Sequence, residues 1–141
     1  MNAQMSSKEF KYSDITEKII GCAMKVHTHF GLGFPEIIYK RALIIELTNA
    51  GLASRAEYEK DIEYNGINIG KRRLDLIVEN KVLIELKAIS QIENSCYNQI
   101  INYLKVFQFE VGLILNFGTD SLQFKRFANS SVHLRNPLHN L

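Results

Sequence analysis

The chain has 141 residues, 46% of them hydrophobic and 23% charged, with a formal charge of +2. That is the composition of one soluble globular domain, large enough to bury a core without disulfides or a structural metal. No apolar run approaches the ~20 residues of a membrane span, and the polar start MNAQMSSKEFKYSD lacks the apolar stretch of a signal peptide. Two cysteines, Cys22 and Cys96, without CxxC spacing, suit a reduced cytoplasm better than a disulfide framework. The small positive charge permits nucleic-acid binding without demanding it. We expect a single domain over residues 1–141, with a polar segment at 1–13 and a weakly patterned tail at 128–141.

Along the chain, Asp14 predicts an N-cap, with Glu17 in capping-box spacing behind it. The helix that follows carries Ile15, Ile19, Ala23 and Val26 at helical spacing. It should stop at Gly31-Leu32-Gly33, where glycine supplies a left-handed cap. Pro35 suits the first turn of a second helix, EIIYKRALIIELTNA, which ends before Gly51. Next comes EYEKDIEYNGINIG, where Asn65-Gly66 between strand-like runs signals a hairpin. The chain continues into RRLDLIVENKVLIELKA, so three consecutive strands are expected as antiparallel neighbours. NSCYNQIINYLKVFQ has helical periodicity, with Ile100, Ile101 and Leu104 apolar; VGLILNFG is a buried strand, and SLQFKRF alternates like an edge strand. The order ααβββαββ describes an α/β domain around a mixed sheet, with a right-handed crossover if the third and fourth strands run parallel.

Within RRLDLIVENKVLIELKA the charges Asp75, Glu85 and Lys87 interrupt otherwise apolar strands. Register decides which face they share. A two-residue loop at Asn80-Lys81 would place Asp75 opposite Leu86 and mix charge with hydrocarbon on both faces. A three-residue loop at 79–81 pairs Val78 with Val82, Leu76 with Ile84 and Leu74 with Leu86, which makes one continuous apolar face. The other face then pairs Ile77 with Leu83, Asp75 with Glu85 and Arg73 with Lys87, and Asn80 takes a left-handed conformation. Burial favours this second register, because each misplaced aliphatic side chain costs about 1.5–3 kcal/mol. It sets two carboxylates roughly 5 Å apart at Cβ. A divalent cation would neutralise them, and all-oxygen ligands suit Mg²⁺ or Mn²⁺. Lys87 projects from the same face as Glu85. The residues alone equally allow a solvated face with salt bridges from Arg73 and Lys87. Removing Asp75 is expected to relieve repulsion with Glu85.

Asp75 followed by Glu85-Leu86-Lys87 resembles the D…(D/E)-x-K signature of the PD-(D/E)-x-K nuclease superfamily. GFPEIIY, residues 33–39, resembles the motif that names the GxxExxY protein family, and VHTHFGLG, NYL and LILNFG are similar to that family too, so that the resemblance spans residues 15–127. It implies a restriction-endonuclease-like αβββαβ core. It also implies a Mg²⁺- or Mn²⁺-dependent nuclease that hydrolyses phosphodiester bonds of nucleic acid, DNA ahead of RNA; the cysteines and the lack of a long apolar run point separately to the cytoplasm and away from membranes. A homo-oligomer is compatible with it. By the same resemblance Glu36 looks like the helical acid that joins the metal site, Asp75 and Glu85 like the central metal-binding carboxylates, and Lys87 like the catalytic lysine. Gln99 and Tyr103 resemble the Q-x-x-x-Y motif of RecB-type members; four residues apart, they share a helix face and would position a phosphate or support the lysine. The chain departs from many relatives in carrying Cys96 and Tyr97 where a His precedes that Gln, and Gly31-Leu32-Gly33 in place of Gly-Pro-Gly.

Each residue also has a plainer role. Glu36 suits the positive end of a helix, Tyr39 and Cys22 suit a core, and Gln99 with Tyr103 suits a surface pair. His27 and His29, two apart on a helix, cannot share a face and are rejected as a metal pair. The run Lys71-Arg72-Arg73 either meets a nucleic-acid backbone or ends a strand in solvent. Two rival functions follow from these plainer roles. One is a non-catalytic nucleic-acid- or protein-binding module that retains the nuclease fold, and the other is an enzyme on a different phosphorylated substrate.

Overall fold

The computed structural model describes residues 11–129, so much of the polar start and most of the tail lie outside the described residues. Helix α1 spans Ser13–Phe30 and buries Ile19, Cys22, Ala23 and Val26 along one stripe. Asp14 sits inside its first turn and is not the cap. The N-cap is Tyr12, in a left-handed conformation, and the Thr16 hydroxyl donates back to the Ser13 carbonyl at 3.1 Å. The helix ends where expected, on Gly31 (φ 65°), whose N–H donates to the His27 carbonyl at 2.8 Å. Helix α2, Glu36–Asn49, starts directly after Pro35 and buries Tyr39, Leu43 and Leu47. Tyr39 is a core residue as expected: it stacks on Phe117 with centroids 4.7 Å apart, and its hydroxyl donates to the Gly31 carbonyl at 2.6 Å.

Among the described residues seven strands follow, with one more helix among them. They are β1 (Ser54–Ala56), β2 (Glu59–Tyr64), β3 (Ile67–Arg73), β4 (Leu76–Val78), β5 (Val82–Lys87), then helix α3 (Asn94–Phe107), β6 (Val111–Asn116) and β7 (Gln123–Ala128). Five strands form a mixed sheet in the order β1-β4-β5-β6-β7. β5 and β6 are parallel and joined through α3, while the other neighbours are antiparallel. Helices α1 and α2 cover one face over Leu76, Ile84, Leu86, Leu113 and Leu115. Helix α3 covers the other over Leu74, Ile77, Leu83 and Ile114. Gly112 lets α3 come close: a Cβ there would lie 3.0 Å from Ile100 and 3.2 Å from Leu104. This is a restriction-endonuclease-like α/β fold, as the sequence led us to expect.

Two local expectations are corrected. The β2–β3 hairpin turns at Asn65-Gly66 as predicted, with φ of 52° and 78°. However, it forms a separate two-stranded ribbon and does not continue into the sheet. Its strands are exposed at every position except half-buried Ile62, and its apolar side chains Tyr64, Ile67 and Ile69 stand out in solvent, so the ribbon buries little against the core. The short strand β1, which the sequence pattern did not reveal, takes the edge beside β4 instead. The second correction concerns register. Leu76↔Ile84, Ile77↔Leu83 and Val78↔Val82 pair as the three-residue loop requires, with both Glu79 and Asn80 at φ 54°. The ladder then stops. Arg73 belongs to β3 opposite Glu59, not opposite Lys87, and Leu74 turns to the α3 side with Ile77 and Leu83 rather than lying with Leu76 and Ile84. The chain breaks phase at Asp75.

Candidate active site

β5 ends on Glu85, Leu86 and Lys87, next to the crossover into α3. Alternation aims Leu86 into the α1–α2 core and sends Glu85 and Lys87 to the α3 side. Where the ladder stops, an Asp75 carboxylate oxygen accepts from the Leu86 N–H at 2.9 Å and does the work of the missing strand carbonyl. Asp75 is therefore not paired across the ladder with Glu85, yet its charge still acts on the Glu85 carboxyl. Lys87 Nζ lies 3.7 Å from Glu85 Oε2 and donates to Gln99 Oε1 at 3.0 Å; Gln99 Nε2 in turn donates to the Tyr103 hydroxyl at 3.0 Å. Gln99 and Tyr103 thus share the inner face of α3, one turn apart.

Electrostatically the group is short of positive charge. Glu85 is 4% exposed. Burial, then Asp75, then Glu36 push its carboxyl up to about 8, with Lys87 pulling the other way. Glu36, at the start of α2, opens to solvent, but desolvation and Asp75 still raise its carboxyl, against Lys87 and Lys40. Among the described residues no three carboxylate, imidazole or thiol groups are gathered closely enough to form a ready metal cluster. Asp75 and Glu36 both act on Glu85 by charge, and Asp75 acts on Glu36. An all-oxygen donor set whose own negative charges repel, with one of them buried, fits a hard divalent cation, which would relieve that repulsion.

Lys40 and Asn116 were not read from the sequence, and Arg72 was read only as part of a basic run. Arg72 lies over the Tyr103 ring, 5.8 Å from its centroid, and lines a cleft of about 550 Å³ with Lys87, Ser95, Asn98 and Gln99. Lys40 is buried and reaches Glu57 at 3.6 Å; its i,i+4 spacing from Glu36 was the available signal. Asn116 is 0% exposed at the end of β6. Its amide oxygen accepts from the Ile89 and Gly118 N–H groups at 3.0 Å, and its amide nitrogen donates to the Ile89 carbonyl at 2.9 Å. That fastens the chain just beyond Lys87. A polar residue inside the apolar run VGLILNFG was the sign of it. Of the residues that depart from the relatives' pattern, Tyr97 packs on Phe127 at 5.5 Å and Cys96 is buried at the cleft. His27 Nε2 lies 2.8 Å from the Thr119 carbonyl and has no part in this site.

A mixed sheet flanked by helices, with acids and a lysine at the end of a central strand, defines a nuclease-like α/β domain. The chain belongs to the PD-(D/E)XK nuclease superfamily, which it matches over residues 13–127. No curated protein matches it. Among solved structures it is similar to the one described as the crystal structure of SSO0001, with a TM-score of 0.51 at 20% identity, covering 92% of this chain and 67% of that one. At that identity the likeness concerns the fold.

Proposed function

We propose that this domain is a Mg²⁺- or Mn²⁺-dependent nuclease of the GxxExxY type, hydrolysing phosphodiester bonds in nucleic acid, DNA ahead of RNA. The observation that carries this reading is the unbroken polar track from Asp75 and Glu85 through Lys87 to Gln99 and Tyr103. Asp75 and Glu85 would hold the ion, with Glu36 completing the acidic set. Once bound, the ion supplies charge stabilisation at the phosphate and favours ionisation of water. Lys87 aims an ammonium at the scissile phosphate, where negative charge develops. Gln99 accepts from Lys87 and fixes its rotamer, and Tyr103 holds the amide of Gln99 with its oxygen towards the lysine. The Leu86 N–H holds one oxygen of Asp75, which fixes the direction of the other. Free, buried Cys22 and Cys96 suit a reducing cytoplasm. Among the described residues no helix is long and apolar enough to cross a membrane.

The test is cleavage of labelled single-stranded, duplex and branched DNA and of RNA, with Mg²⁺ or Mn²⁺ and with EDTA. Wild type should cut at least one of them with metal and none with EDTA. Lys87→Ala, purified identically, should lose at least about a hundredfold in rate with its thermal midpoint retained. If both proteins cut equally, the activity belongs to a contaminant and the reading falls. If wild type binds nucleic acid and cuts none, the domain is a binding module.

A further inference from the structure

The β2–β3 ribbon has two unlike faces. Glu59↔Arg73 and Asp61↔Lys71 put acids opposite bases on one of them, and there Lys71 and Arg73 reach Glu59 at 3.5 and 3.8 Å while Arg73 also bridges Glu57. The other face pairs Lys60↔Arg72, Ile62↔Gly70 and Tyr64↔Ile67. It carries no carboxylate, and among the described residues neither Lys60 nor Arg72 enters an ion pair. The register shift beside Ile62 and Glu63 assembles this face. Unbroken alternation would send Ile67 and Arg72 to opposite sides, and the extra β3 residue brings them to the same one. Tyr64 and Ile67 at the tip are 68% and 66% exposed. At the foot, Arg72 lines the cleft that holds Lys87 and Gln99. Between foot and tip the six residues of β2 span roughly 20 Å.

We infer that this face is a platform for an unpaired nucleic-acid strand leaving the cleft, with Lys60 and Arg72 on its phosphates and Tyr64, Ile62 and Ile67 under its bases. Cations without acidic partners select a polyanion. The apolar and aromatic side chains offer flat and hydrocarbon surface. A duplex hides its base faces in the stack, whereas an unpaired strand presents them, and contact with base faces tolerates any sequence. The cleft makes this inference rest on the nuclease reading, but its test reads binding alone.

That test is fluorescence anisotropy in EDTA with a labelled strand of about 20 nucleotides, single or in blunt duplex. Lys60→Ala should weaken single-strand binding and lower the slope of log affinity against log salt by about one. Tyr64→Ser with Ile67→Ser should weaken it roughly tenfold. Lys71→Ala, the same charge loss on the opposite face, should stay within about twofold of wild type. All four positions are exposed and outside both cores, so thermal midpoints should hold. The inference is overturned if Lys71→Ala matches Lys60→Ala, if the blunt duplex binds as tightly as the single strand, or if the tip variant keeps its affinity and instead dissolves a dimer in sedimentation. Loss of cleavage in Lys87→Ala with intact binding in the ribbon variants sinks the platform alone. The converse pattern sinks the nuclease alone, and wild type that binds no nucleic acid sinks both.

Discussion

Glu85→Gln tests whether the acidic pair is held at a cost to the fold. The folded protein holds the Glu85 proton more tightly than the unfolded chain does: about 8 against 4.5. Below the lower value both states carry the proton and the group has no effect on stability. Between the two values the unfolded state ionises first, so stability falls as pH rises, by about 1.4 kcal/mol per unit. Glu85 is 4% exposed, and solvent screens little of this. From pH 5 to pH 7 the wild type should therefore lose up to about 3 kcal/mol relative to Glu85→Gln, which keeps the shape and cannot ionise. For a domain of this size that is about 10 °C in thermal midpoint. The assay is calorimetry of both proteins in EDTA from pH 5 to pH 9. Mg²⁺ should then raise the wild-type midpoint and barely move the variant, since a ligand that binds the native state stabilises it. Parallel pH profiles for the two proteins, or a variant destabilised equally at every pH, would refute the reasoning.

Two further outcomes follow from the same geometry. Asp75→Ala should destabilise by about 1–3 kcal/mol in urea titrations, because the Leu86 N–H loses its acceptor. That reverses the sign expected from relief of repulsion alone, and Asp75→Asn, which keeps an acceptor oxygen, should recover most of the loss. Tyr103→Phe removes the acceptor for Gln99 Nε2. It should lower the cleavage rate roughly tenfold through a loosened Lys87 while costing about 1 kcal/mol of stability, and single-turnover kinetics should place the loss in the chemical step rather than in binding.

Much of this protein was legible as pattern. Helical spacing located α1 and α3, and Pro35 with Gly51 bounded α2. Asn65-Gly66 fixed a hairpin, and the demand for one continuous apolar face chose the three-residue loop at 79–81. Period two put Glu85 and Lys87 on one face, and the family resemblance singled out Gln99 and Tyr103, which period four puts on one face of a helix. The sequence could not say which strand a face would meet. Residues 67–78 read as one strand, but the exposed ribbon buries little against the core, so the chain divides at Asp75 and β1 fills the vacant edge. That competition between distant segments turned Asp75 from a ladder residue into the acceptor for Leu86, moved Leu74 to the other core, and left Arg72 over Tyr103. Glu36 and Asn116 likewise depend on packing: one stands near the acids because of where α2 begins, and the other ties β6 to the segment after Lys87. Local periodicity carries the direction of a side chain, but its neighbours are set by long-range burial, which no single stretch of sequence contains.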